Sequence, residues 1–230
     1  MRLLGALVSG LVLAFFIVGL ALYPLMHPTV TKLLSERYSD VAASGLTQTR
    51  ILQVAEHVRD FVADSDAEPL PPTVDGRPGF DAQAVSHLLD VRRVIGGART
   101  TTGVLAAIVA LGIGVQIARR RFGAISDALL AGGAWCLLLV IVAALSGTMN
   151  FDSFFAWFHS LFFAAGTWEF PADSLLIQLF PEGFWMAAGL AWAGLVLLGG
   201  IVLAVAGWLV QGAEVHGAGV SGGRASAREA

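Results

Sequence analysis

Charged residues and cysteine are scarce in this sequence of 230 residues. Asp, Glu, Lys and Arg together make up 13% of the chain, about half the share in soluble globular proteins. Lys32 is the only lysine and the net charge is −3, so no basic surface for nucleic acid is expected and no nucleic-acid partner is predicted. The single cysteine, Cys136, excludes an internal disulfide and a zinc site made of cysteine pairs.

Common catalytic motifs are also absent from the sequence. It contains no G-x-S-x-G nucleophile elbow, no H-E-x-x-H zinc motif and no Walker phosphate loop. The lone cysteine lies inside an apolar block, where a thiol nucleophile would be cut off from water. Any chemistry must therefore depend on individual ionisable side chains.

Apolar residues, by contrast, make up 56% of the chain and fall in four long blocks. A helix of about 20 apolar residues crosses the hydrocarbon core of a bilayer, which is about 30 Å thick. Transmembrane helices are therefore predicted at residues 1–26, 100–118, 125–146 and 183–211. The first block is alternatively a cleaved signal peptide, although no convincing small-x-small cleavage site follows it.

The orientation in the membrane is predicted from the arginines of one short loop. Arg119, Arg120 and Arg121 lie in residues 119–124, between two spans, and positive charge in short loops stays in the cytoplasm. This places the N-terminus and the tail, residues 212–230, in the cytoplasm. Residues 27–99 and 147–182 then face outward from the plasma membrane.

The first outer segment is predicted to be helical in two places. Residues 47–63 have apolar side chains at helical spacing, with Thr47 as the N-cap, and residues 64–79 are expected to form a loop. A second helix is predicted to begin at Asp81 and to end at Gly96 and Gly97, before the membrane.

The second outer segment carries a concentrated group of aromatic residues. Residues 150–163 (NFDSFFAWFHSLFF) contain seven aromatics and a histidine, and Asn150 or Asp152 can cap a helix. This helix is too short to span and suits the plane of the interface. The predicted fold is an all-α membrane protein with four transmembrane helices, a helical outer-face subdomain and an interfacial aromatic helix.

His87 and His159 are the candidate catalytic residues. His87 shares a helix face with Asp90, which favours an acid/base pair, although Asp90 can equally pair with Arg93 on an ordinary surface helix. The helical neighbours expected for His159 are aromatic, and desolvation among them lowers the pKa of an imidazole, as suits a neutral base. The alternative for His159 is a half-buried interfacial residue. Those aromatic neighbours are Phe155, Phe162 and Phe163.

The two outer segments resemble the lipoprotein intramolecular transacylase family of bacterial membrane proteins. The matching stretches are FDAQAVSHLLDVRRVI (Phe80 to Ile95) and FDSFFAWFHSLFFAAGTWEFPADSLLIQLFPEGFW (Phe151 to Trp185). Their distinctive motifs are H-x-x-D-V in the first, and W-F-H-x-x-F-F, W-x-F and F-P-E-G-F in the second. The order of the spans matches as well.

This resemblance implies that an acyl chain moves within a diacylated lipoprotein, from the sn-2 oxygen of the glyceryl group to the amine of the N-terminal cysteine. It implies membrane lipids and the lipoprotein as partners, no metal or cofactor, and catalysis by two outer-face histidines, His87 and His159. We expect both rings at the wet surface and close to one another. The candidates for positioning the substrate are Asp90, Arg93, Trp168 and Glu182.

The sequence is compatible with two other functions. A membrane scaffold or transport subunit is the first, and transport would require charged residues inside the spans, which are nearly free of them. A zinc site built from His87, Asp90, His159 and Glu169 is the second, because histidine and carboxylate suit that metal.

Overall fold

The computed structural model describes residues 2–64 and 66–226, with side chains described outside 147–149 and 214–226. The chain divides into two compact units: Met1–Leu20, Thr101–Ala143 and Gly194–Ala230 form the first, and Ala21–Thr100 with Ala144–Ala193 the second. The elements in chain order are α1 (Arg2–Leu20), α2 (Leu22–Leu25), α3 (Pro28–Tyr38), α4 (Val41–Ser44), α5 (Gln48–Ala63), β1 (Thr73–Val74), β2 (Arg77–Pro78), α6 (Ala82–Ala118), α7 (Phe122–Met149), α8 (Phe151–Ser160), α9 (Leu175–Leu179) and α10 (Glu182–Ser226).

Four segments in the described part of the chain are long and apolar enough to cross a membrane: Arg2–Leu25, Ala82–Ala118, Phe122–Ser146 and Glu182–Ala213. Each contains one of the predicted spans or most of it. Their apolar side chains are largely exposed, as expected where hydrocarbon replaces water as the surrounding solvent.

Small residues bring the helices of the first unit close together. A Cβ atom added at Gly10 of α1 would lie 2.6 Å from the Cβ of Ala131 in α7. One added at Gly200 of α10 would lie 2.7 Å from the Cβ of Cys136, which is fully buried. Close backbone approach of this kind is how helices pack in lipid, where the hydrophobic effect between them is lost. Cys136 is therefore a packing residue, buried between helices inside the span.

Helix α6 corrects one prediction from the sequence. A helix end was expected at Gly96 and Gly97, but α6 continues through both residues for 37 residues in all. Neither glycine adopts a positive φ, and the cost of about 1 kcal/mol per helical glycine is small beside the hydrogen bonds of a continuous helix. At 1.5 Å per residue α6 is about 55 Å long, well beyond the hydrocarbon thickness. Its first half, which carries Asp90, Arg93 and Arg99, precedes the predicted span 100–118.

The second unit has its own hydrophobic core around α5. Thr47 caps this helix, since its hydroxyl accepts from the Arg50 amide at 3.2 Å, as predicted. The apolar face of α5 is buried against residues of the β1–β2 region, α6 and α9. The core of this unit consists of Leu46, Ile51, Val54, Ala55, Val58, Phe61, Val62, Leu70, Val74, Phe80, Ala84, Leu88, Leu175, Leu176, Leu179, Phe180 and Phe184.

Two arginines of α6 fasten its first half to the end of α5. Arg92 Nε donates to the Phe61 carbonyl at 2.6 Å, and its guanidinium lies 4.2 Å from the Phe61 ring. Arg99 donates to the Ala63 carbonyl at 2.7 Å. These bonds satisfy carbonyls that a helix leaves unpaired at its C-terminus. They fix the part of α6 that carries the first candidate histidine.

A short hairpin lies in the segment that was predicted to be a loop. β1 and β2 pair antiparallel, with Thr73 opposite Pro78 and Val74 opposite Arg77. Asp75 and Gly76 form the turn, with φ of 50° and 78°. An Asp-Gly pair is a strong signal for a two-residue hairpin, because both turn residues need a positive φ. The four strand residues leave the all-α fold class unchanged.

Candidate active site

His87 lies in the second turn of α6. That helix begins where predicted, because the Asp81 carboxylate accepts from the Ala84 amide at 2.7 Å and caps it. The His87 side chain is 8% exposed, and its Nδ1 is buried without a hydrogen-bond partner. The prediction of a ring at the wet surface is therefore wrong for His87. The residue faces inward, towards the core of the second unit, since Ala84 and Val91, one turn before and after it on the same face, belong to that core or pack against it.

His159 lies near the end of α8. The Asn150 side chain caps this helix by accepting from the Ser153 amide at 2.9 Å, which confirms one of the two predicted caps. α8 ends at Ser160, before the predicted limit of residue 163, and Leu161 onwards turns into an irregular segment. His159 is half-buried, as expected for a ring among aromatic neighbours.

The structure brings the two histidines together. Their ring centroids are 6.3 Å apart and the ring planes are inclined at 28°, which confirms the predicted proximity. Both residues belong to the second unit. Two imidazoles from different helices therefore belong to one site.

A hydrogen bond on α8 fixes the tautomer of His159. Its Nδ1 lies 2.8 Å from the carbonyl oxygen of Phe155, one turn earlier. A carbonyl only accepts hydrogen bonds, so Nδ1 carries the proton and Nε2 of the neutral ring has its lone pair free. The half of the imidazole that can take up a proton is therefore the Nε2 side.

Both imidazoles are held neutral. Burial, and secondarily the charge that His159 would carry, lower the pKa of His87 to about 4, while Asp90 acts weakly in the opposite direction. Burial also lowers the pKa of His159, against the opposing effect of the Phe155 hydrogen bond. Two rings this close are unfavourable as a doubly charged pair, so the site holds at most one proton beyond its neutral state.

Aromatic rings enclose the pair. Phe163 contacts both histidines, at centroid distances of 4.8 Å from His87 and 5.6 Å from His159. Trp168 lies 4.7 Å from His159, and Phe170 lies 5.6 Å from His87. Three of the rings therefore come from the irregular segment after α8. Phe162, a neighbour expected from helical spacing, contacts Phe158 and Phe163 instead, because the helix has already ended.

The remaining candidates differ in which residues they contact. Asp90 pairs with Arg93, three residues along α6, as in the alternative interpretation of an ordinary surface pair. Glu182 begins α10 and is exposed in its first turn. Trp185, one turn later, lies 6.3 Å from the Phe155 ring. Trp168 is thus the positioning candidate that lies directly against a histidine.

The donor geometry does not suit the metal alternative. Within residues 2–64 and the described residues from 66 onward, no three His, Cys, Asp or Glu side chains gather as metal ligands. Asp90 is engaged by Arg93.

One residue with hydrogen bonds to the segment around the histidines was not identified from the sequence. Gln83, one turn before His87, donates from Nε2 to the Gly166 carbonyl at 3.2 Å and to the Glu169 carbonyl at 3.1 Å. A glutamine in the first turn of a helix gives no signal of its own. Only its position at i−4 from His87 places it on the same helix face.

Comparison with known proteins supplies a family for this fold and site. The lipoprotein intramolecular transacylase family, Lit, matches residues 6–185. An uncharacterized protein of Aquifex aeolicus (strain VF5) is 28% identical over 135 residues. That alignment covers 59% of this chain and 59% of the relative, so the chain spans less than two thirds of the relative's length.

Solved structures share the same fold. The membrane integral lipoprotein intramolecular transacylase Lit from Bacillus cereus, solved in meso, superposes with a TM-score of 0.78 at 19% identity, over 94% of this chain and 98% of that one. A structure of the same protein with one histidine replaced by arginine gives a TM-score of 0.69 at 17% identity, over 94% and 95% of the two chains. The family match covers far more than half of the sequence, and the fold agrees across nearly all of it. The chain is therefore a multi-pass integral membrane protein that belongs to the lipoprotein intramolecular transacylase family.

Proposed function

We propose that the site transfers an acyl chain within one diacylated lipoprotein, from the glyceryl sn-2 oxygen to the N-terminal cysteine amine. The observation that carries the proposal is the pair of imidazoles with ring centroids 6.3 Å apart, of which His159 has Nδ1 bonded to a carbonyl and Nε2 left to act as a base. Both reacting groups belong to the same substrate. The protein therefore chiefly needs to hold the amine against the ester carbonyl and to transfer one proton.

His159 is the proposed base. As the cysteine nitrogen attacks the ester carbonyl, the new C–N bond forms and the nitrogen loses a proton to His159 Nε2. The tetrahedral carbon then releases the glyceryl oxygen, which must leave as a hydroxyl and so takes up one proton. The proton lost by nitrogen balances the proton gained by oxygen, and no external acid or base is consumed.

His87 is the proposed partner in returning that proton. With a pKa of about 4 it holds no extra proton at neutral pH, so it acts as an acid only with a proton that the reaction itself supplies. A neutral imidazole carries one N–H donor and one acceptor nitrogen, and can pass a proton between the nitrogen and oxygen sides. The unpartnered Nδ1 of His87 is a buried polar atom that a substrate group or a water would satisfy.

The aromatic face of α8 suits a reaction at a lipid surface. Several large apolar side chains here stay about half exposed, an arrangement that favours the interface between headgroups and acyl chains. The acyl chains then remain in the bilayer while the ester and the amine meet at the histidines. We place this site at the outer face of the plasma membrane, on the orientation predicted from Arg119–Arg121. The exposed side chains are Trp157, Phe158, Leu161 and Phe162.

The test uses the full chain in proteoliposomes with a synthetic diacylglyceryl lipopeptide. Mass spectrometry follows conversion to the N-acyl, lyso-glyceryl peptide, which has the same mass as the substrate and is told apart by its fragment ions. Conversion by the wild-type protein that is lost in His159→Asn supports the proposal. A folded protein that leaves the amine free supports the scaffold alternative. Loss of activity on metal chelation, restored by zinc, would support the metal alternative.

A further inference from the structure

We infer that Gln83 is a positioning residue of this site, which holds the segment 161–170 over the two histidines. The inference rests on the proposed function above. Gln83 bonds to the backbone of this segment, and it acts through the aromatic rings that the segment carries. The evidence lies in its hydrogen bonds, in the shape of the segment and in the side chains that the segment presents.

The amide group of Gln83 spans the tip of the segment. One nitrogen, Nε2, donates to the carbonyls of Gly166 and Glu169, at 3.2 Å and 3.1 Å. These two carbonyls lie on either side of Trp168 in the chain. An amide with two N–H donors meets two acceptors here, so the contact fixes the segment at two points.

The segment has few other hydrogen bonds to the rest of the protein. It is irregular from residue 161 to 170, and Gly166 adopts a φ of 79°, a conformation that favours glycine. Its own bond between the Thr167 hydroxyl and the Ala164 carbonyl, at 2.8 Å, closes a local turn. Among the residues that the structure describes, Gln83 alone links residues 161–170 by hydrogen bonds to an element other than α8.

The rings of the segment enclose both histidines. Trp168 and Phe170, which flank Glu169, lie 4.7 Å from His159 and 5.6 Å from His87. Since burial is the main cause of the lowered pKa of each histidine, the cover provided by these rings keeps the imidazoles neutral. Release of the segment would admit water and would loosen the space in which the substrate headgroup must fold.

The sharpest variant is Gln83→Glu, which keeps the shape of the side chain and removes both donors. The new carboxylate would face two carbonyl oxygens, which repel it. The helix itself should tolerate the change, because Gln83 is exposed in the first turn of α6, where a negative charge is favourable. Gln83→Ala removes the two hydrogen bonds without adding charge. The matched control is Gln53→Glu, the same change at an exposed position of α5 whose side-chain oxygen accepts from Arg50.

The experiment measures the acyl-transfer rate against pH and against lipopeptide concentration for these variants in proteoliposomes. We expect Gln83→Glu and Gln83→Ala to lower kcat roughly tenfold, the scale of a modest misplacement of catalytic groups, with a smaller change in KM. We also expect the acid limb of their pH profile to move to higher pH. Gln53→Glu should leave both unchanged.

A wild-type rate and an unmoved acid limb in both Gln83 variants would overturn the inference. So would a loss of thermal stability without a shift of the acid limb, because that pattern marks a purely structural role. His159→Asn is assayed beside them to separate the two proposals. If His159→Asn is inactive and the Gln83 variants behave as wild type, only the role of Gln83 is refuted. If His159→Asn remains active, the proposed function itself fails.

Discussion

The Nδ1 atom of His159 lies 2.8 Å from the carbonyl oxygen of Phe155, four residues earlier on the same helix. This contact sets the chemistry of the ring, because the proton on Nδ1 leaves the lone pair on Nε2. The backbone amide of residue 159 follows the usual helical pattern towards the same carbonyl, so the side-chain bond adds to the helix without replacing its ladder. A base on a regular helix is thereby oriented by the helix itself.

His159→Asn is predicted to abolish acyl transfer while the protein still folds. The asparagine amide can still donate to the Phe155 carbonyl, but it has no basic nitrogen in place of Nε2. Loss of a general base lowers the rate by about 10² to 10⁴. His159→Ala and His87→Ala should lose activity to a similar degree. The measurements are lyso-lipopeptide formation and thermal unfolding in detergent.

Phe155→Ala is the contrast for that prediction. It removes a ring whose centroid lies 4.0 Å from that of His159, and so it should lower both activity and stability. Because Phe155 is half-buried, the loss of stability should be about 1 to 3 kcal/mol, below the range for a fully buried phenylalanine. If His159→Asn kept its activity, or lost it only because the protein unfolded, His159 would be an ordinary interfacial residue.

The acid limb that the base contributes to the pH–rate profile is predicted to lie below pH 6.5. The base must be neutral to act, and burial lowers the pKa of His159 from its ordinary value of 6.5. The attacking amine must also be neutral, and an α-amino group titrates at about pH 8, so the rate should rise with pH through both pKa values. The measurement is log kcat/KM for the lipopeptide between about pH 4 and pH 8, and its slope should steepen from about one to about two below pH 6.5. A slope that stays near one down to pH 4 would contradict the assignment of a histidine base, and a steepening above pH 6.5 would contradict its desolvation.

The stability of the protein is predicted to decrease as the pH decreases, and His87 accounts for part of this loss. In the unfolded chain this histidine protonates near pH 6.5, while in the folded chain its pKa is about 4. Between these values the unfolded state binds the extra proton and the folded state does not, so acid favours unfolding. The stability is fully present above pH 6.5 and is lost as the pH falls towards 4.

His87→Gln isolates this effect from the titration of other groups. The variant should be less stable than wild type at neutral pH, since His87 is 8% exposed and its replacement disturbs packing. It should then lose less stability than wild type between about pH 7 and pH 4.5. Thermal unfolding in one detergent at both pH values gives the comparison. Equal losses in the two proteins would show that His87 does not stay neutral in the fold.

Much of the fold could be predicted from the sequence because lipid imposes a simple rule. An apolar block of span length must satisfy its backbone internally, so it forms a helix, and all four predicted spans correspond to helices. Local caps at Thr47, Asp81 and Asn150 were also correct. The helix end expected at Gly96 was wrong, because a continuous backbone ladder and the contacts of Arg92 and Arg99 with α5 outweigh glycine's weak helix propensity.

The candidate site could be predicted only in part. His87 and His159 were identified from motifs and from local spacing, both of which are visible in the sequence. The contacts of Phe170 with His87 and of Gln83 with the Gly166 carbonyl depend on how the segment after α8 folds back. No periodicity describes an irregular segment, so its partners could not be derived before the structure.

Insertion of a reporter tests the predicted orientation. Gly76 is at the tip of the β1–β2 turn, with a φ of 78° and open space around its α-carbon, so an insertion there should be tolerated. The reporter should be accessible from outside the cell, whereas a reporter fused after Arg121 should be cytoplasmic, because Arg119–Arg121 occupy a short loop. Labelling of the Gly76 reporter only after permeabilisation would reverse the topology and remove the outer-face assignment of the site.

Trp168 provides the last prediction, since its ring lies directly against His159. Trp168→Ala should expose the imidazole to water and move its pKa up, towards the ordinary value. The acid limb of the rate profile should therefore shift to higher pH, and the rate should fall further near pH 5.5 than near pH 8. Trp168→Phe keeps a ring in place and should shift the limb less. The control is Trp157→Ala, an exposed position on α8 whose ring contact is with Phe154, and it should leave the limb unchanged. An acid limb that stays fixed in Trp168→Ala, with a uniform loss of rate at all pH values, would mean that Trp168 shapes the substrate pocket without controlling the protonation of His159.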